Sequence, residues 1–274
     1  MTITATPAQA LSTPSVIIEV GGLPIQLNVD NPVFLEMLAR RYAGFIGAAG
    51  PAKFEFEIDL VPPGAILGGD EVQVTWKDGL WRMERGDFCA VWNPTMACGR
   101  IRQTANPYSL DCVLRIIHTL LLAREDGFLV HASSAVRNGR AFLFAGVSGA
   151  GKTTMARLAP PDVALLTDEI SYVTRQKDQY FAFGTPFAGE LARPGENIRA
   201  PIAGLYLLAK GRENKIESLG TVEAVRGLLE DILFFAKDRE LVNLVFQAAC
   251  DFVGRVPVKR LTFVPDARVW EMIG

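Results

Sequence analysis

The chain has 274 residues, 49% of them hydrophobic, with 28 Lys and Arg against 30 Asp and Glu and a net charge of −2. That apolar content can bury a large core in one big domain or two, and it excludes disorder for most of the length. The near-neutral balance excludes a global field for polyanions, so neither nucleic acid nor a membrane is expected as a partner.

The first fifteen residues lack a basic n-region and a continuous apolar h-region, and no later stretch approaches the length of a membrane span. The chain therefore reads as cytoplasmic, with residues 1–14 as a disordered tail. Val16 to Val20 and Pro24 to Val29 read as strands around a Gly21-Gly22 turn, and Asn31-Pro32 opens a helix. From Lys53 to Leu60 the sequence alternates strictly, with Phe54, Phe56, Ile58 and Leu60 on one face and charged residues on the other. This is the pattern of a half-solvated antiparallel strand. Strands around Val72–Trp76, Leu80–Arg85 and Phe88–Trp92 follow, separated by turns at Asp78-Gly79 and Gly86-Asp87. Residues 15–105 thus read as a small N-terminal α+β domain.

Residues 106–274 read as a second domain. Pro107 to Glu125 is an amphipathic helix that Asn106 or Ser109 could cap, with His118 inside it as an ordinary helix residue. Phe128 to Val136 and Ala141 to Ala145 flank Asn138-Gly139, a strong hairpin signal. Then Gly146, Val147, Ser148, Gly149, Ala150, Gly151, Lys152 and Thr153 complete a G-x-x-x-x-G-K-[ST] loop, with Thr154 to Leu158 able to start a helix. Glycines at these places let backbone N–H groups curl around phosphate oxygens, the lysine reaches the outer phosphates, and the threonine hydroxyl can ligate Mg²⁺. ATP and Mg²⁺ are the expected cofactors.

Pro160-Pro161 stops the helix, and Val163 to Leu166 resumes as a strand ending at Thr167-Asp168-Glu169. Phosphoryl transfer needs a carboxylate to orient or deprotonate the acceptor, and this acidic pair, which follows the loop after one short helix and one strand, reads either as that carboxylate site or as a solvated acidic turn. Strands at Ile170–Val173, Tyr180–Phe183 and Ala203–Leu208, two helices at about 222–236 and 239–253, a strand at 258–264 and a short helix from Asp266 complete the chain. Glu190, in a turn-rich segment, reads either as a second metal ligand or as part of a plain surface loop. Arg193 and Arg199 read either as guanidinium groups for the phosphoryl group or as solvated charge. The four cysteines show no C-x-x-C spacing and no neighbouring histidine, which argues against zinc or a redox pair and predicts buried thiols. His118 and His131 are the only histidines. His131 reads either as functional, in the strand before the phosphate loop, or as a core histidine bonded to backbone.

Val130-His131-Ala132, the hairpin, the loop from Gly146 to Thr153, and Leu165-Leu166-Thr167-Asp168-Glu169 together resemble the catalytic domain of HPr kinase/phosphorylase, which shares a core with phosphoenolpyruvate carboxykinase. The resemblance covers about residues 125–210. It implies an α/β fold, α+β overall, with a P-loop kinase core of that type beside the N-terminal α+β domain. It also implies that Lys152 contacts phosphates, that Thr153 holds Mg²⁺, that Asp168 is the base towards an acceptor hydroxyl, and that His131 lies beside the reacting phosphate. Asp168, Glu169 and Glu190 join Thr153 as the expected metal set. Asp168-Glu169 stands where such enzymes usually carry Asp-Asp, and His131-Ala132 where they carry His-Gly. The later Pro-rich, Arg-containing segment used for dephosphorylation has no counterpart here. The expected activity is therefore ATP-dependent transfer to a seryl or threonyl hydroxyl of a protein or peptide, or to a small hydroxyl compound, without return of phosphate. The alternatives are a small-metabolite kinase and an ATP-dependent switch or scaffold without transfer. The related enzymes lean towards a homo-oligomer.

Overall fold

The computed structural model describes residues 14–47 and 50–274; apart from Pro14, the expected N-terminal tail lies outside the described residues. Two β-sheets divide the chain. The first contains β1 (Ser15–Val20), β2 (Leu23–Val29), β3 (Phe54–Leu60), β4 (Gln73–Lys77), β5 (Leu80–Arg85), β6 (Phe88–Asn93) and β7 (Cys98–Gln103), in the order β1-β2-β3-β7-β6-β5-β4. Helix α1 (Pro32–Arg41) connects β2 to β3, and the Asn31 side chain caps it by accepting from the Phe34 N–H at 2.9 Å.

That connection changes the expected role of the alternating segment. β3 runs parallel to both of its neighbours, β2 and β7, not antiparallel to them. A helical crossover returns the chain in the same direction, and alternation reports only that one face is buried, which parallel pairing also permits. Phe54, Phe56 and Ile58 point into the core while Glu55 and Glu57 stay exposed. β7, which no sequence signal marked as a strand, buries only Ile101 and Gln103.

Helix α2 (Pro107–Leu122) starts at Asn106, whose side chain accepts from the Tyr108 N–H; Ser109, the other candidate cap, instead donates to Asp87 at 2.6 Å. Eleven of its sixteen residues are buried, and one hydrophobic cluster runs from the first sheet through α2 to Leu129, Ile170 and Tyr172. Asp111 binds it to α1, accepting from the Arg41 guanidinium and, at 2.6 Å, from the Tyr42 hydroxyl. Burial and this carboxylate push the Tyr42 phenol well above its ordinary pKa. So α2 packs against both sheets, and its inner face decides how they meet.

The second sheet contains β8 (Phe128–Arg137), β9 (Arg140–Ala145), β10 (Ala164–Thr167), β11 (Ile170–Gln176), β12 (Gln179–Phe183), β13 (Arg199–Lys210), β14 (Lys215–Ser218), β15 (Ile232–Leu233) and β16 (Val258–Phe263), with α3 (Lys152–Arg157), α4 (Thr221–Asp231) and α5 (Arg239–Arg255). The β8–β9 hairpin forms as expected, with positive φ at Asn138 (52°) and Gly139 (72°). Pairing runs from β8 to β11, β12, β13, β9 and back to β8, a closed circuit of five strands. The fold is thus mixed α/β with two sheets. Helix α4 stops at Asp231, five residues short of the expected end, because Ile232 and Leu233 pair with Val130 and Leu129 of β8. The terminal helix from Asp266 is a 3-10 turn, Ala267–Met272. All four cysteines are free, and contrary to expectation none is buried: Cys98 and Cys250 are exposed, Cys89 and Cys112 half-buried.

Candidate functional site

Between β9 and α3 the loop from Gly146 to Gly151 turns back on itself. Gly151 has φ +114°, and a Cβ there would sit 2.5 Å from the Phe263 ring, so only glycine fits. Lys152 follows and is 7% exposed; its ammonium donates to the carbonyls of Gly146 (2.7 Å) and Val147 (3.3 Å). The buried Ser133 hydroxyl donates to the Lys152 carbonyl at 3.0 Å, fixing the start of α3 onto β8. The loop opens on a cleft of about 600 Å³ whose walls include Ser148, Gly149, Gly151, Thr153 and Thr154 on one side and His131, Glu169, Gly189 and Glu190 on the other. This volume suits a small ligand.

The acidic pair sits in the turn from β10 to β11. Thr167 stabilises that turn, its hydroxyl accepting from the N–H groups of Glu169 (3.1 Å) and Ile170 (3.2 Å). The two carboxylates then part. Asp168, 1% exposed, accepts from the backbone N–H groups of Gly189 (2.9 Å) and Leu191 (2.8 Å), so it anchors the segment after β12 and does not border the cleft. Glu169 borders it, with Oε1 3.5 Å from His131 Nε2. Hydrogen bonding to His131 holds the Glu169 carboxyl below its ordinary pKa, against the effect of burial, with Arg115 and Lys152 adding to the attraction. A Cβ at Gly189 would lie 2.7 Å from Glu169 Oε2 and 3.0 Å from Asp168 Oδ2, so the backbone passes close to both carboxylates only because residue 189 is glycine.

The expected metal set does not converge. Among the described residues no group of three or more His, Cys, Asp or Glu side chains could hold a metal. Asp168 is committed to backbone amides, and Glu190, whose side chain is 73% exposed, leans 3.7 Å from Arg157. Thr153, Glu169 and Glu190 border the cleft, but of the two carboxylates Glu190 points towards Arg157 and solvent. Arg199 donates to Gln176 and stacks over Phe181 and Phe183, and Arg193 lines a neighbouring cavity beside Pro194. Neither borders the cleft beside the Gly146–Gly151 loop.

Residues 102–274 match the family described as SynChlorMet cassette protein ScmC. The chain belongs to the ScmC family. The ScmC match begins within β7 and takes in α2, the phosphate-loop sequence and the whole second sheet. Among solved structures the chain is similar to the HPr(Ser) kinase/phosphatase from Coxiella burnetii, with 12% identity over 44% of this chain and 87% of that chain, at a TM-score of 0.25. No curated protein matches. Two charged residues of this ScmC family member went unnoticed in the sequence. Arg115 of α2 has a buried Nε without a partner, lies 5.0 Å over the Phe187 ring and acts on Glu169. It is the only cation in the apolar α2 sequence, and that was the available signal. Asp231, at the end of α4, lies close enough to Lys152 and His131 for both to act on its charge, and nothing in its local sequence marked it.

Proposed function

We propose that this ScmC family member is an ATP-dependent phosphotransferase that moves the γ-phosphoryl group to a hydroxyl, with a seryl or threonyl side chain of a protein or peptide as the acceptor. The observation that carries this reading is the pairing of a complete phosphate-loop sequence with a buried, pre-positioned lysine at a cleft whose far wall carries His131 and Glu169. Lys152 rests on two loop carbonyls, so its charge is already held where phosphate oxygens would replace them. The loop's N–H groups and the Thr153 hydroxyl supply the remaining donors, a set that suits a polyphosphate.

Mg²⁺ would bind together with that polyphosphate through oxygen ligands from the phosphates and from the cleft wall. Thr153 and Glu169 are the residues that would hold it, and the ion would spread the negative charge on the phosphate oxygens. Glu169, kept ionised by His131, is ready for that role at any pH near neutral. His131 borders the cleft beside Glu169 and would donate to a phosphate oxygen. Asp168 shapes the wall through Gly189 and Leu191, so its contribution is to hold the 186–191 segment in place.

The test measures binding of a fluorescent ATP analogue and transfer from γ-labelled ATP into partner protein or peptide. Lys152→Ala should weaken binding about tenfold or more and abolish transfer, since water cannot replace a buried cation at the outer phosphates at equal energy. Wild-type-like transfer by the variant refutes the reading. ATP binding without transfer to any acceptor favours an ATP-dependent switch.

A further inference from the structure

The cleft at Lys152 continues into a second cavity that phosphate binding does not use. Thr153 and Thr154 of α3 border the cleft, while Ala156 and Arg157, on the next turn of the same helix, line a space of about 530 Å³. The opposite wall continues in the same way: Gly189 and Glu190 border the cleft, and Leu191, Arg193 and Pro194 line the cavity. Both spaces therefore lie along one groove, with α3 on one side and the segment after β12 on the other. Where they meet, Arg157 and Glu190 approach to 3.7 Å across it.

The walls of this cavity are held in place. The Leu191 N–H donates to Asp168 at 2.8 Å; beyond Pro194, the Gly195 N–H donates to the Thr185 carbonyl at 3.0 Å and the Glu196 N–H to the Leu165 carbonyl at 2.9 Å. A Cβ at Gly195 would lie 1.6 Å from the Leu166 carbonyl oxygen, so the wall closes onto β10 only because residue 195 is glycine. Pro160 and Pro161 stiffen the side that follows α3, and Ala156, Val163 and Leu165 make the lining apolar between them. Walls fixed beforehand lose little freedom when a ligand enters.

The charge of the cavity is unbalanced. Two guanidinium groups, those of Arg157 and Arg193, line it against one carboxylate, that of Glu196. Arg193 has no ion-pair partner among the described residues, and the Arg157–Glu190 contact joins side chains that are 58% and 73% exposed, a pairing worth little in water. Both arginines can thus take an incoming carboxylate, to which a guanidinium offers paired donors. We propose that this cavity seats the acceptor, and that Arg157 and Arg193 select a peptide segment carrying acidic side chains near its hydroxyl residue; the inference rests on the phosphotransferase reading above. The cavity begins about one helical turn, ~5 Å, beyond Thr153, and an extended chain advances about 3.4 Å per residue. The acidic residues therefore fall about two to four positions from the hydroxyl.

The experiment uses the full chain with Mg²⁺, γ-labelled ATP and a library of peptides that carry a central serine or threonine flanked by randomised positions. Among labelled peptides, wild type should enrich Asp and Glu about fivefold or more at two to four positions from the hydroxyl. Arg157→Ala combined with Arg193→Ala should abolish that enrichment and raise KM for a selected acidic peptide about tenfold, with kcat within about threefold. Arg157→Glu combined with Arg193→Glu should select Lys and Arg instead, an inversion that misfolding cannot produce. Wild type that labels peptides without an acidic preference, or an alanine pair that keeps the preference, overturns this inference and leaves the phosphotransferase reading standing. An alanine pair that binds a fluorescent ATP analogue about tenfold more weakly assigns the cavity to the nucleotide and also overturns it. Wild type that binds no ATP, or binds it and labels no peptide, overturns the transfer to a peptide and this inference with it.

Discussion

Lowering the pH from 7 to 5 should cost this fold stability through one residue, His118, and replacing that residue should remove the loss. His118 lies on the buried face of α2, is 0% exposed, and both ring nitrogens lack a hydrogen-bond partner. Its ring packs edge-on against Tyr172 of β11 at 5.5 Å, in the seam where α2 meets the second sheet. Burial drives its pKa from 6.5 to about 3. The folded value lies below the unfolded one, so the unfolded chain binds the proton more readily. The neutral ring's contribution is complete above about pH 6.5 and is lost as pH falls towards 3. Integration between those values gives a loss of about 2 kcal/mol by pH 5 and about 3 kcal/mol by pH 4, within a total stability of roughly 5–15 kcal/mol. Asp231 acts with the opposite sign, since its raised pKa favours folding as acid is added, so wild-type stability alone would mix the two. The decisive assay is urea unfolding of wild type and His118→Leu at pH 7 and pH 5. Leucine removes two unpaired nitrogens at similar volume, so the variant should be as stable as wild type or more so at pH 7. The wild type should lose about 2 kcal/mol more than the variant on going to pH 5. Equal losses in the two proteins would falsify the claim that His118 is held neutral.

Asp168→Asn should lower the melting temperature, since one buried N–H of Gly189 or Leu191 would face an amide NH₂ and lose about 1–3 kcal/mol; hydrogen exchange at 186–191 should accelerate, and unchanged exchange would show that the anchor is dispensable. Glu169→Gln should leave stability within about 0.5 kcal/mol but raise the Mg²⁺ concentration needed for half-maximal phosphate release about tenfold. An unaltered Mg²⁺ dependence would remove Glu169 from the metal. Gly151→Ala, which places a methyl 2.5 Å from the Phe263 ring at a φ of +114°, should cost about 1–3 kcal/mol in thermal unfolding and weaken ATP-analogue binding; normal binding would mean that the loop backbone does not cradle phosphate.

Local chemistry was legible in the sequence wherever a short stretch fixes its own conformation. Asn31-Pro32 and Asn106-Pro107 open helices, Asn138-Gly139 turns the hairpin, and the glycines up to Lys152 shape the loop, because caps, turns and close backbone approaches depend on residues within a few positions. Alternation from Phe54 to Leu60 fixed which side of β3 is buried, but the direction of its neighbours depended on α1 and on β7, some forty residues away. Side-chain surroundings at the site escaped the sequence for the same reason. Asp168 and Glu169 are adjacent in sequence, yet backbone amides at 189 and 191 turn one away and His131 draws the other in. Arg115 and Asp231 enter only because α2 packs between the sheets and β15 pairs with β8. The sequence alone determined the glycine-rich loop ahead of Lys152 and the strand–helix order around it; only the tertiary structure decided which carboxylates face the cleft, since solvation, charge and hydrogen-bond partners are set by residues that chain folding brings together from far apart.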